Sequence, residues 1–98
     1  MASLEYDIES GHKVYELSKK CETIGRGSEA DVQFEKDPEM SRRHCSILMQ
    51  DGGIFLLRDD GATNGTYLND QLLDTGTPIP LKDGDELHLG KTFLTFHK

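Results

Sequence analysis

The chain has 98 residues, enough for one domain with a single core, which at this size buries roughly 60% or slightly more of the surface exposed when unfolded. It is 35% hydrophobic and 30% charged, and 18 Asp and Glu against 11 Lys and Arg leave a net charge of -7 that opposes non-specific attraction to nucleic acid or an anionic bilayer. No apolar run approaches the ~18 residues of a membrane span, and Glu5, Asp7, Glu9 and Glu16 do not fit a secretory signal, so a cytoplasmic protein without direct membrane contact is expected.

Strand patterns begin at once. LEYDIE, residues 4–9, alternates Leu4, Tyr6 and Ile8 with acids, the period of a half-buried strand, and after Ser10-Gly11 the stretch HKVYEL supplies a hairpin partner. TIGRGSEADVQF, residues 23–34, sets Arg26 between two glycines at a strand end, with the next strand opening at Asp31. EKDPEM, residues 35–40, is the least regular segment, since Pro38 bars an ordinary interior strand, and it leads into SRRH at 41–44. CSILMQ and IFLLRD, residues 45–50 and 54–59, are apolar on both faces and flank Asp51-Gly52-Gly53, which predicts a central, deeply buried hairpin. In DDGATNGTYLN, residues 59–69, Asn64 and Gly65 both readily take left-handed angles and mark a tight turn before a strand. DGDEL at 83–87 reads as a turn before a strand that points Leu87 and Leu89 one way, and it lacks the oxygen-ligand series of a calcium loop. KTFLTF closes the chain with β-branched and aromatic residues. Roughly ten short strands without helical period predict an all-β sandwich, and nothing divides residues 1–98 into more than one domain.

Cys21 and Cys45 are read as free thiols, and His12, His44, His88 and His97 lie too far apart in sequence to predict a metal site. No cofactor is implied. Loops cluster at the ends of a sandwich, so the three polar segments around Arg26, Ser41 and Thr63 can converge at one edge. Together they present Arg26, Ser41, Arg42, Thr63 and Asn64, a set of guanidinium, hydroxyl and carboxamide donors suited to a tetrahedral oxyanion. Taken alone, Arg26 reads as a surface arginine paired with Glu29 or Asp31, and Arg43 as a solvated loop cation. Ser41 near His44 invites a hydrolase reading, but no nucleophile-elbow pattern accompanies them, and the chain is not read as an enzyme.

GR at 25–26, SRRH at 41–44, TNGTYLN at 63–69 and DGDEL at 83–87 occur in the order and approximate spacing of forkhead-associated (FHA) domains, and this resemblance covers essentially the whole chain. It implies a sandwich of two antiparallel sheets whose loops at one edge bind a phosphothreonine in a partner protein, as an extended peptide laid across the loops and not as an added strand. By resemblance, Arg26 pairs with the phosphate, the Ser41 hydroxyl bonds a phosphate oxygen, and Arg42 adds a backbone or side-chain donor. Thr63 touches the phosphate and Asn64 grips the peptide backbone. His44 braces the binding loops from beneath, and Gly25, Gly65 and Asn69 shape turns. Ala62 stands where relatives often have serine, a departure of small expected effect. The chain ends two residues after Phe96, its last apolar strand position, so a module excised from a larger signalling protein is expected. A scaffold that leaves its phosphate pocket idle is the alternative, against which the retention of Arg26, Ser41, Thr63 and Asn64 argues.

Overall fold

The computed structural model describes residues 2–98. Eleven strands alternate with turns: β1 (Ser3–Ile8), β2 (Gly11–Glu16), β3 (Cys21–Gly25), β4 (Val32–Gln33), β5 (Cys45–Gln50), β6 (Ile54–Asp59), β7 (Thr66–Leu68), β8 (Gln71–Leu72), β9 (Ile79–Pro80), β10 (Glu86–Leu89) and β11 (Thr92–His97). They form a six-stranded sheet in the order β2-β1-β11-β10-β7-β8 and a five-stranded sheet in the order β4-β3-β5-β6-β9. The fold is the all-β sandwich that the sequence predicts.

Period-two alternation decides what each strand buries. Leu4, Leu87, Leu89, Leu94 and Phe96 point inward from the larger sheet, while Ile24, Cys45, Ile47 and Leu57 meet them from the smaller one. Phe55 and Phe96 join the layers at a ring separation of 5.4 Å, and Tyr6 meets Phe34 edge-on at 4.9 Å. The same alternation leaves Val14 and Phe93 on the solvent side, 58% and 51% exposed.

Three details depart from the sequence-based expectation. β5 and β6 do form a hairpin inside the smaller sheet, but it is deeply buried on one face only: Leu48, Leu56 and Met49 are half-buried, and Ile54 is exposed. Each sheet of a two-layer sandwich has a single covered face, so a strand that is apolar on both sides still exposes one. Second, the smaller sheet is mixed, because β3 and β4 pair in parallel. The cause is local: the Asp31 carboxylate accepts the Thr23 N–H at 2.9 Å and the Thr23 hydroxyl at 3.1 Å, and the Asp31 N–H returns a bond to Thr23 Oγ1. The loop is thus folded back to the middle of β3 and sets off again in the same direction. Third, of Asn64 and Gly65 only the glycine takes positive φ; the left-handed non-glycine residues are Asn69 and Asp70, at 48° and 68°. They form the two-residue turn of the β7–β8 hairpin, where both central residues need φ > 0.

Both cysteines are free, Cys45 buried and Cys21 exposed. Among the described residues no buried side-chain polar atom lacks a hydrogen-bond partner. Asp59 shows how this is achieved. Only 2% exposed, its carboxylate accepts the Thr66 hydroxyl at 2.6 Å, the Thr75 hydroxyl at 3.0 Å and the Gly61 N–H at 3.1 Å. Burial pushes its pKa up, but the hydrogen bonds from Thr66, Thr75 and Gly61 outweigh that and hold it below the ordinary aspartate value. A depressed folded-state pKa contributes stability that is present above the unfolded value of about 3.9 and is lost as pH falls through the folded one. Asp59→Asn should therefore lower the melting temperature near neutral pH and flatten its decline on acidification. Calorimetry from about pH 7 down to about pH 3 checks this, and parallel acid limbs for the two proteins would contradict it.

Candidate functional site

The turn at 41–44 lies between two other loops and is bonded to both. On one side the β3–β4 loop joins it through backbone bonds, Arg26 N–H to Ser41 O at 2.9 Å and Gly27 N–H to Arg42 O at 3.0 Å. On the other, the β6–β7 loop donates the Thr63 N–H to Ser41 Oγ at 2.9 Å and the Asn64 carboxamide to Glu39 O at 2.9 Å. Arg26, Ser41, Arg42, Thr63 and Asn64 thus come together at one edge of the sandwich, although they belong to three separate loops.

Each carries unspent capacity. Arg26 donates Nε to Met40 O at 3.0 Å, which aims the guanidinium while its terminal nitrogens remain free. Ser41 Oγ accepts a backbone amide, so its own proton is available to an incoming acceptor. The Arg42 amide makes no hydrogen bond within the described residues. Asn64 uses its nitrogen and keeps its carbonyl oxygen, an acceptor for a peptide N–H. Ion pairs follow the same pattern. Arg58 pairs with Asp60 at 2.8 Å and Lys19 with Asp31 at 2.5 Å, yet no carboxylate among the described residues comes within 4.0 Å of Arg26, Arg42 or Arg43. Asp31 and Glu29, the sequence-level candidates to neutralise Arg26, do not do so.

His44 sits beneath, fully buried. Its Nδ1 accepts the Ser41 N–H at 3.1 Å and its Nε2 faces Gly65 O at 2.8 Å, so Nε2 carries the proton and donates it. The contact with Ser41 runs through the backbone amide and not the hydroxyl, and the ring has no nitrogen left to act as a base; this geometry does not make a nucleophile pair. Gly25 is required by proximity, because a Cβ there would stand 2.1 Å from Arg42 O. Gly65 is required by its φ of +79°. Asn69 lies further off, where its side chain donates to Asp85 Oδ1 at 2.9 Å and accepts the Glu86 N–H at 2.9 Å, tying the β7–β8 turn to the start of β10.

Sequence reasoning missed Asp37. Buried within the irregular 35–40 segment, its carboxylate accepts the Lys91 N–H at 2.8 Å, the Thr92 hydroxyl at 2.7 Å and the Glu39 N–H at 3.0 Å. Burial raises its pKa and these bonds more than reverse the effect, leaving it below the usual range. It fastens the loop that carries Met40 and Ser41 to the β10–β11 turn. The signal in the sequence is Asp37-Pro38, a turn-initiating pair.

Comparison with known proteins converges on one family. The model of the FHA domain matches residues 22–90. The glycogen accumulation regulator GarA of Mycolicibacterium smegmatis is 36% identical over 80 residues, which cover 82% of this chain and 48% of that protein. An oxoglutarate dehydrogenase inhibitor of Corynebacterium diphtheriae is 39% identical over 80 residues, covering 82% and 52%. The chain therefore spans about half the length of these curated relatives. A structure solved for a structural and functional analysis of phosphothreonine-dependent FHA domain interactions superposes with a TM-score of 0.85 at 34% identity, covering 99% of this chain and 95% of the other.

Arg26 and His44 should separate in a stability measurement. His44→Ala removes two part-buried hydrogen bonds and a fully buried ring, and it strands the Ser41 amide and Gly65 carbonyl, a loss of about 2–4 kcal/mol and of roughly 10–20 °C in melting temperature. Arg26→Ala should stay within about 4 °C of the parent, because its side chain is exposed and its one bond lies at the surface. Equal melting temperatures for the two variants would contradict these assignments.

Proposed function

The chain belongs to the FHA domain family, and on that footing we propose that its loop edge reads phosphothreonine in an extended segment of a partner protein, making the interaction depend on phosphorylation. It is a recognition module and not an enzyme, in keeping with relatives named as a regulator and an inhibitor. We treat residues 1–98 as one domain. β1, β2 and β11 lie outside the matched 22–90 segment, yet β1 pairs with both β2 and β11, and β11 pairs with β10 to complete the larger sheet.

The observation that carries this reading is the absence of any carboxylate partner for Arg26 and Arg42 among the described residues, in a chain with 18 acids. A phosphothreonine brings about -1.5 to -2 charges and three acceptor oxygens near neutral pH. Arg26 would pair with those oxygens through its free guanidinium nitrogens, while the Ser41 hydroxyl, the Arg42 amide and Thr63 supply shorter donors. Asn64 would hold the peptide backbone beside the phosphate. Since the donors are already oriented by Met40 O, Thr63 N–H and His44, little ordering remains to be done on binding. The same free guanidiniums argue against a scaffold with an idle pocket. We further place the domain within a longer signalling protein of the cytosol, where free thiols such as Cys21 and Cys45 persist.

Calorimetric titration should show binding of a phosphothreonine peptide and none of its unphosphorylated or glutamate counterparts, with phosphoserine weaker because the threonine methyl adds an apolar contact. Equal affinity for all four peptides would overturn the assignment. Arg26→Ala should weaken the phosphothreonine peptide at least ~10-fold, the effect of losing one charge-assisted hydrogen bond of about 1.5–3 kcal/mol. An unchanged dissociation constant for this variant would remove Arg26 from the site.

A further inference from the structure

The solvent face of the larger sheet carries a pattern that the loop edge does not use. Cross-strand pairing sets Leu72 opposite Tyr67, Tyr67 opposite His88 and His88 opposite Phe93, so these side chains form one row across β8, β7, β10 and β11. Their neighbours Leu87, Leu89 and Leu94 point into the core, which turns the row outward. The His88 and Phe93 rings lie parallel at 4.1 Å, and Tyr67 continues the row at 5.9 Å from His88. Phe93 and Leu72 are nonetheless 51% and 61% exposed. The wet face of an antiparallel sheet ordinarily carries polar residues, and a contiguous apolar row there marks a contact surface.

Charge says what this face fits. Glu5, Asp7, Glu16 and Glu86 stand on it, whereas the one Lys or Arg in the six strands, Lys13, pairs with Tyr6 and belongs to the other side. Among the described residues Glu16 and Glu86 have no cationic partner within 4.0 Å, and Glu5 and Asp7 meet only the imidazoles of His12 and His97. Such a face repels nucleic acid, an anionic bilayer and a second copy of itself, and it attracts a basic protein segment. Phe93 narrows the choice of cation. His88 lies beside it on β10, and on its other side β1 brings Asp7, which follows Tyr6, the partner of Leu94. The Asp7 side chain is 83% exposed. A guanidinium can stack flat on an aromatic ring while its N–H groups reach a carboxylate, a combination for which the compact ammonium of lysine is less suited. Glu86 supplies a second carboxylate, two residues along β10 from His88 and about 7 Å away on the same face.

We propose that the outer face of the larger sheet is a docking surface for a basic segment of a partner protein, which lays an arginine on the Phe93–His88–Tyr67 row and pairs its charge with Asp7 or Glu86. The row forms the apolar centre of the contact and the acids its polar rim. No phosphate is involved, so this inference does not rest on the phosphothreonine reading.

A short unphosphorylated peptide of alternating arginine and serine, titrated into the isotope-labelled protein and followed by NMR, tests the surface against lysine–serine and glutamate–serine counterparts. Shifts should centre on Tyr67, His88 and Phe93, with the arginine peptide binding about 2- to 5-fold tighter than the lysine peptide and the glutamate peptide not at all. Phe93→Thr, which keeps a strand-forming residue, should bring the arginine peptide down to the affinity of the lysine one, with a melting temperature within about 4 °C of the parent. Glu86→Gln should weaken both basic peptides about 2- to 3-fold, and it keeps the test open if Phe93→Thr does not fold. No shift with either basic peptide, shifts centred elsewhere on the chain, or equal affinity of the parent for the arginine and lysine peptides would overturn the docking surface.

Discussion

The His44 imidazole, sealed between the Ser41 amide and the Gly65 carbonyl, is the contact on which the loop edge depends. It joins the 41–44 turn to the β6–β7 loop from below, and the backbone bonds from Arg26 and Gly27 join the same turn to the β3–β4 loop from the side. Three loops that are far apart in sequence thereby become one surface. Both ring nitrogens are committed, with Nδ1 accepting and Nε2 donating, so the ring cannot turn without breaking its bond to a part-buried backbone group. The 2.1 Å approach that a Cβ at Gly25 would make to Arg42 O shows how little room the same junction leaves on its other side.

Around this junction the acids and the arginines have divided roles. Asp37 fastens the 35–40 loop through the Lys91 and Glu39 amides, Asp31 folds the β3–β4 loop onto Thr23, and Asp59 gathers Thr66, Thr75 and Gly61. Glu22, 1% exposed, does the same for the Ser18 and Lys19 amides and the Tyr15 hydroxyl. Carboxylates are acceptors only, and the orphan N–H groups of irregular loops are donors in need of them. Acids spent on loop amides and hydroxyls leave Arg26, Arg42 and Arg43 without a carboxylate partner among the described residues. The charge imbalance of the chain and its edge of arginines without carboxylate partners are in this sense one feature.

The sandwich provides rigidity more than chemistry. Its layers are locked by Phe55 against Phe96 and by the fully buried Leu4, Leu87, Leu89 and Leu94, and the strands deliver the loop ends at fixed spacing. Orientation of the donors then comes from loop bonds such as Arg26 to Met40 O and Thr63 to Ser41 Oγ, which exist before any ligand arrives. Donors held in place in this way lose little freedom on binding, which favours one geometry of anion over others.

The strands and the loop motifs were legible in the amino-acid sequence, because both are local. Period-two alternation identified the inward face of β10 in DELHLG and, in LEYDIE, the inward Leu4 and half-buried Tyr6 but not the exposed Ile8; Pro38 ended the strand pattern where the chain is irregular, and the ordered motifs at Arg26, Ser41 and Thr63 marked the family. Other features were settled by which side chains and layers meet in the folded chain. The parallel pairing of β3 with β4 follows from Asp31 reaching Thr23, and the single covered face of the β5–β6 hairpin follows from its place in a two-layer stack. Asp37 meets Lys91 and Thr92 more than fifty residues further on. Arg26 looked equally able to pair with Glu29 or Asp31 in sequence, and only the tertiary structure, by engaging Asp31 with Lys19 and Thr23, left its guanidinium free. Sequence spacing names the charges that are available, whereas the folded chain decides which of them are consumed by hydrogen bonds and which still face an outside partner.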